Sequence, residues 1–298
     1  MFFNDPEVLI SLTPEWKGER FPDGRPKVSD DILRRMRKIT FEEAWGPLWG
    51  LGYRNNWECN FKTTHGDDVL VGRAVTAVMV PKRPDLDKAL MDIGHSEGHK
   101  GFYNQWVIDK LVDGDVAVID LYDKIFEGTY VGGNLSTAIA NRTKRGGAVI
   151  WGGIRDMEQI VKIEELQVLH RGCDPTGIAD VVLTGFNAAT RIGNATCLPG
   201  DVVMATISGV LFIPPQLAEE VVTRAEKSHI RDVFGFIRLR EGTYSTAQID
   251  TAWTYPMMED FVNWFETSPE TAEYRHLTWE EELEEAKKVS EKNTDIIL

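Results

Sequence analysis

The sequence predicts an α/β fold, and three observations carry that prediction. β-Branched segments alternate with helical periodicity between residues 69 and 160. Glycine pairs mark the turns of that alternation at 132–133, 146–147 and 152–153. A series of short apolar runs then fills 166–213 before Pro214-Pro215 ends it.

Taken in order, residues 1–28 are rich in Pro, Gly and charge and read as an arm lying over the surface. Ser29 ahead of Asp30-Asp31 is a helix N-cap signal, with Ile32, Leu33 and Met36 as the apolar stripe, and a second short helix spans Phe41 to Leu48. Strands are expected at 57–62 and 69–80, then helices at 84–93 and 104–112. A strand at 115–121, a helix at 134–145, a strand at 148–151 and a helix from about 156 make the glycine-punctuated core. Further strands are expected at 166–170, 190–196, 202–205 and 209–213, followed by an amphipathic helix over 216–228 with Pro215 near its first position. Beyond 240 the character changes. Trp253, Phe261, Trp264 and Phe265 are spaced to pack, against their own core or a neighbouring subunit, and Thr278-x-x-Glu281 is a capping box for a last acidic helix. The expected organisation is an arm at 1–28, a main domain at 29–235 and an aromatic, acidic helical extension at 236–298.

Composition narrows the function. A net charge of -14 repels phosphate backbones and anionic lipid, and no Lys/Arg cluster offers a local exception. Nucleic acid and membrane are therefore not the expected partners, and an anionic substrate would need a local cation. Three cysteines without CxxC spacing, no signal-like N-terminus and no apolar run of the ~20 residues a membrane span needs point to a reducing, cytoplasmic setting.

The segment from Gly132 to Asp156 is the main chemical candidate. Glycines between a strand and a helix let backbone N–H groups approach a ligand, and the helix N-terminus adds partial positive charge. Both glycine turns fall where strands end, which is where α/β sheets bind ligands. Arg155 offers a planar fork for a carboxylate, and Asp156 is a hard oxygen ligand of the kind Mg²⁺ or Mn²⁺ accepts. The bland alternative is a helix-capping Asp156 beside an Arg155 surface ion pair.

Other signals are weaker. His95 and His99 have the i, i+4 spacing of a helical metal pair with Glu97 nearby, but Gly94 and Gly98 undercut the helix that spacing requires. Glu58, Cys59 and His65 are polar residues around an expected strand that either line a pocket or form a satisfied interior. Residues 198–214 read as a hairpin. His170, His229 and His276 stand alone, and no GxSxG, Walker A or GxGxxG motif is present.

Together the segments resemble the RraA-like proteins, which include the 4-hydroxy-4-methyl-2-oxoglutarate / 4-carboxy-4-hydroxy-2-oxoadipate aldolases. The resemblance rests on VGRAVTAV (71–78), DGDVAVID (113–120), GGNL (132–135), GGAVIWGGIRD (146–156), LQVLHRG (166–172) and PGDVVMATISGVLFIP (199–214), in that order. It implies a layered β/β/α, swivelling-domain-like fold and a homotrimer or hexamer with sites at subunit interfaces. The helical arm and helical tail would be additions to that fold. It also implies a Mg²⁺- or Mn²⁺-dependent lyase, aldolase- or decarboxylase-like, acting on a 2-oxo acid or sugar-derived acid. Arg155 would bind the carboxylate, Asp156 the metal, and the amides of Gly133, Asn134 and Leu135 the substrate. The aldolases carry an Asp ahead of the Arg-Asp pair, where this chain has Asn134 or, on the other alignment, Gly133. The missing carboxylate removes general acid–base help usually worth about 10²–10⁴-fold. His95, His99, His65 and Glu58 are the remaining candidates for a proton shuttle. The competing expectations are a non-catalytic binding or regulatory protein, since some relatives inhibit an RNA-degrading endonuclease, and another lyase reaction such as dehydration on the same scaffold. Nothing resembles an S-adenosylmethionine site.

Overall fold

The computed structural model describes residues 5–295, and the chain divides into two compact units, Met1–Val222 and Thr223–Leu298. The first unit opens with three helices, α1 (Pro6–Leu12), α2 (Asp30–Met36) and α3 (Phe41–Gly50). Each starts where a side chain answers the unpaired N–H groups of its first turn: Asp5, Ser29 and Thr40, the last in a capping box with Glu43.

The two-residue strands β1 (Trp57–Glu58) and β2 (Lys62–Thr63) lead into the long β3 (Leu70–Pro81). Helices α4 (Pro84–Ser96) and α5 (Tyr103–Ile108) follow, then β4 (Asp115–Thr129), α6 (Gly133–Thr143), β5 (Gly147–Ile154), the single turn α7 (Met157–Ile160) and β6 (Gln167–Cys173). The unit is completed by β7 (Val181–Phe186), the hairpin β8 (Thr190–Ile192) and β9 (Ala195–Cys197), and the pair β10 (Val202–Thr206) and β11 (Gly209–Ile213).

A nine-stranded mixed sheet runs in the order β1-β11-β10-β3-β4-β5-β6-β2, with β7 pairing to the far end of β3. Its centre, β3 to β6, is parallel, and its flanks are antiparallel. Because side chains alternate across a strand, the sheet has two apolar faces. Val75, Ala77, Ile119 and Ile150 face the layer that holds Leu90, Trp106 and Ile139 from α4, α5 and α6. Ala74, Val116, Val118 and Val149 face the opposite way, against Ile192, Ala195 and Cys197 of the β8–β9 hairpin. These layers are the β/β/α arrangement expected from the sequence.

The N-terminal segment is less superficial than expected. Arg25, only 2% exposed, extends its guanidinium to the fully buried Asp115, with Nη1 at 2.9 Å and Nη2 at 3.3 Å. Asp115 also accepts the Val112 N–H, so the charge is fully answered. A chain that looks like a surface arm by composition is pinned to the start of a central strand.

The second unit has its own core. The long helix α8 (Ala218–Glu241) crosses the unit boundary, and its Ile230 and Phe234 pack with Trp253, Phe261, Phe265 and Trp279. The expected division at 235/236 therefore falls within this helix. The helices α9 (Thr246–Ile249), α10 (Tyr255–Thr267) and α11 (Glu280–Asp295) complete the unit. Phe261 and Trp279 meet edge to face at 4.6 Å, and Arg238 holds Asp260 through two hydrogen bonds of 2.9 and 2.7 Å.

Several elements differ from the sequence reading. The strand expected at 57–62 is two separate strands on opposite sheet edges, and 190–196 is a hairpin turning at Gly193. β4 runs past 121 to Thr129 through left-handed residues at Tyr122, Asp123 and Glu127 that break its alternation. The strand β7 was not anticipated. α4 continues through Gly94 to Ser96, and the Trp106 ring occupies the space a side chain at position 94 would need. Among the described residues no helix is long and apolar enough to cross a membrane, and the three cysteines are free thiols.

Candidate functional site

The parallel neighbours β4 and β5 deliver their carboxyl ends side by side. The exits are tied by two backbone hydrogen bonds, Tyr130 N–H to Gly153 O (2.9 Å) and Arg155 N–H to Val131 O (3.0 Å). From one exit the chain turns at Gly132 into α6; from the other it runs through Arg155 and Asp156 into α7. Between them lies a cleft of about 320 Å³ lined by Gly132, Asn134, Leu135, Arg155, Asp156 and Gln159.

Asp156 adopts a left-handed conformation, φ 57° and ψ 38°. That is tolerable for Asp but unusual away from a special site. It makes no side-chain cap to its own helix. The turn instead directs its Oδ2 across the cleft, where it accepts the Gly133 N–H at 3.1 Å. An anion at a helix N-terminus satisfies an orphan donor and meets the positive end of the helix dipole. The Arg155 Nε lies 3.7 Å from the same oxygen, with both side chains part-exposed.

The two glycines are a packing requirement. A Cβ on Gly132 would collide with Asp156 Oδ2 and crowd Arg155, and one on Gly133 would collide with the Gln159 carboxamide. The backbone can approach these side chains only because the pair has none of its own.

Of the three amides expected to face a ligand, that of Gly133 is already engaged by Asp156. The N–H groups of Asn134 and Leu135 have no acceptor among the described residues. Asp156 Oδ1 and the Asn134 side chain are likewise without a hydrogen-bond partner among them. The cleft therefore presents one cation, one open carboxylate oxygen and two helix-end donors.

The test of metal fit turns on that donor set. Among the described residues no group of three or more His, Cys, Asp or Glu side chains forms a closed cage. A single carboxylate with open space beside it suits a hard ion that keeps most of its waters, which is how Mg²⁺ is commonly held. Asp156 fits that role.

The weaker candidates lie elsewhere. Glu58 accepts hydrogen bonds from the N–H groups of Cys59, Asn60 and Asn194 and from the Asn60 side chain. Burial alone would raise its pKa, but these donors override it and hold the carboxyl below its ordinary value. It is a fastener between β1 and the β8–β9 turn. His65 Nδ1 pairs with Thr64 Oγ1 at 2.8 Å. His99 stacks on Trp106 at 5.2 Å, and His95 meets the same ring edge-on at 6.2 Å. Burial, with Lys110 nearby, lowers the His99 pKa. None of the four lines the Arg155 cleft.

Sequence reasoning missed Asn104, Gln159 and Ile178, which complete the wall. Asn104 donates to the Tyr130 carbonyl at 2.7 Å and so fixes the strand exit. Asn104 and Ile178 are distant in sequence from the glycine segment, and Gln159, just past Asp156, carries no chemical signal by residue type.

The family model for RraA-like proteins, described as Aldolase/RraA, matches residues 26–212, more than half the chain. The chain belongs to the RraA-like family. As an RraA-like protein it shares its fold with RraAS2 of Streptomyces coelicolor, described as an unusual member of the RNase ES inhibitor RraA family. That match has a TM-score of 0.57 and 20% identity and covers 72% of this chain and 98% of the other. A similar match is an uncharacterised protein from Pseudomonas syringae pv. tomato, with a TM-score of 0.61 and 20% identity, covering 76% of this chain and all of that one. No curated protein matches the sequence. The family contains both aldolases and non-catalytic inhibitors, and residues after 212 lie outside its model.

Proposed function

We propose that this RraA-like protein is a divalent-metal-dependent lyase that cleaves a carbon–carbon bond in a small 2-oxo acid or sugar-derived acid. The observation that carries the reading is the convergence of Arg155, Asp156 and the α6 N-terminus on one cleft. Arg155 binds the substrate carboxylate through its planar fork, which the acidic chain otherwise lacks the charge to attract. The N–H groups of Asn134 and Leu135 face the oxygen that gains negative charge as the bond breaks. Asp156 is the residue that would hold Mg²⁺ or Mn²⁺, and the ion would supply Lewis acidity toward the 2-oxo group. Leu135 and Ile178 add apolar surface to the cleft lining. In this reading the chain works as a homotrimer or hexamer, with a neighbouring subunit closing the cleft and supplying the group that moves the proton.

One observation favours a second reading, a non-catalytic carboxylate-binding regulator. Among the described residues Asp156 is the sole acid lining the cleft, and Asn134 cannot take up a proton. The discriminating experiment measures pyruvate release from oxaloacetate and 4-hydroxy-4-methyl-2-oxoglutarate, with and without Mg²⁺, alongside calorimetry with pyruvate. Metal-dependent release abolished by Arg155→Ala supports the lyase; pyruvate binding without release supports the regulator. If Arg155→Ala and Asp156→Ala change neither, the site itself is wrong.

A further inference from the structure

A second and larger cavity, about 480 Å³, lies in the first unit and shares no lining residue with the Arg155 cleft. Its walls come from the end of α1 and the turn after it (Leu12–Glu15), the loop 52–56, the β9 region, Phe212 of β11 and the segment Pro214–Gln216. Leu12–Glu15 and Pro214–Gln216 fall outside the residues that match the family model. The cavity is thus built in part by what this chain adds to the shared fold.

Its floor holds an acid with an open oxygen. Asp201 is 5% exposed, and its Oδ2 accepts the Leu198 N–H at 2.7 Å. Its Oδ1 has no hydrogen-bond partner among the described residues. Asn56, 6% exposed, lines the same cavity, with its Oδ1 closed off from solvent. Its Nδ2 donates to the Phe212 carbonyl at 3.1 Å, which fixes the orientation of the amide, and its Oδ1 has no partner. Buried acceptors of this kind normally find a donor, and each left unmet costs about 1–3 kcal/mol.

The wall holds a cation. The Arg54 guanidinium carbon stands 3.6 Å from the centroid of the Trp49 ring. Stacking of this kind occupies the face of the guanidinium and leaves its edge N–H groups available. No carboxylate among the described residues pairs with it. Between floor and wall lie apolar surfaces of Leu12, Leu198, Phe212 and Pro215.

We infer that this cavity is a binding site for a small zwitterion of the α-amino-acid class carrying an apolar side chain. The ammonium donates to Asp201, the carboxylate takes the Arg54 fork, and the side chain fills the apolar part. The volume lies within the range of small-molecule sites. The charge logic agrees: burial pushes the Asp201 carboxyl up to about 7, a cost an arriving cation would offset.

The test is calorimetric titration of the full chain with each of the twenty L-α-amino acids, with their N-acetyl and carboxamide forms as controls. At least one member with an apolar side chain is expected to bind with one site per chain. Capping either charged end should weaken it by about tenfold or more, the loss expected for one charge-assisted contact. Arg54→Ala, at an exposed position, should weaken it similarly without moving the melting temperature, and Asp201→Asn should do so from the other end. Arg155→Ala should leave it unchanged. The inference is overturned if no amino acid binds at concentrations up to about 10 mM, a limit near -2.7 kcal/mol. It is equally overturned if the capped forms bind as well as the free ones, or if Arg155→Ala abolishes the binding.

Discussion

Asp156 and Asp201 are both acids beside a strand end, and their surroundings differ in almost every respect. Asp156 is part-exposed, sits at the end of an eleven-residue helix and has a guanidinium 3.7 Å away. Asp201 is enclosed, receives one backbone N–H and no cation, and is pushed up to about 7 by burial. The first faces open space beside a cation and a helix end; the second carries its charge at a cost to the fold. The contrast teaches that chemical reach and stability are separable here, because mutations at the two acids should act on different observables.

Five experiments would break or sharpen that separation. The largest effect is expected from Arg155→Ala, which should lower metal-dependent turnover by about 10³-fold or more if the lyase reading holds. Its unfolding free energy should stay within roughly 0.5 kcal/mol of the parent, as for other part-exposed side chains. Comparable losses of stability and turnover would collapse the distinction.

Next, Arg25→Ala should destabilise the chain by about 3–5 kcal/mol in denaturant melts, because it strands the fully buried Asp115. Asp201→Asn should act in the opposite direction. The carboxyl rises from its ordinary 3.8 to about 7 in the folded protein. Its protonation therefore contributes stability that is complete below about pH 4 and lost as pH rises through 7. An amide that never ionises should stabilise the chain at pH 8 by on the order of a few kcal/mol, and the gap should close toward pH 4. A gap that is constant with pH would show that Asp201 is not the group responsible.

The smallest effects concern the helix end. Asn134→Asp would place a carboxylate where the aldolase relatives are expected to have one, and it suits the first turn of α6. It should raise turnover, by up to about 10²-fold if it recovers general acid–base help. Gly132→Ala should weaken metal and carboxylate binding together in calorimetry, since its methyl would displace Asp156 Oδ2.

Legibility in the sequence followed locality. The core was most readable at β5, a continuous apolar run with glycines near both ends, and the Arg155-Asp156 pair stood out because it follows those glycines directly in sequence. The Asp156 hydrogen bond to Gly133 was not, because it depends on a left-handed turn that residue types do not dictate. The same limit hid the Asp201 cavity. Pro199-Gly200-Asp201 reads as an ordinary turn until residues from 12–15, 52–56 and 214–216 are brought around it. Arg25 was read as part of a surface arm for the same reason: its partner is in β4.

The sheet ends on both sides in strands of only two residues, β1 and β2. A strand that brief offers an arriving chain almost no ladder of its own to extend. Contacts made through faces, loops or helices draw instead on side chains that can be selected one position at a time. Such contacts can be made specific, and they also spare a sheet this wide from growing into a fibre.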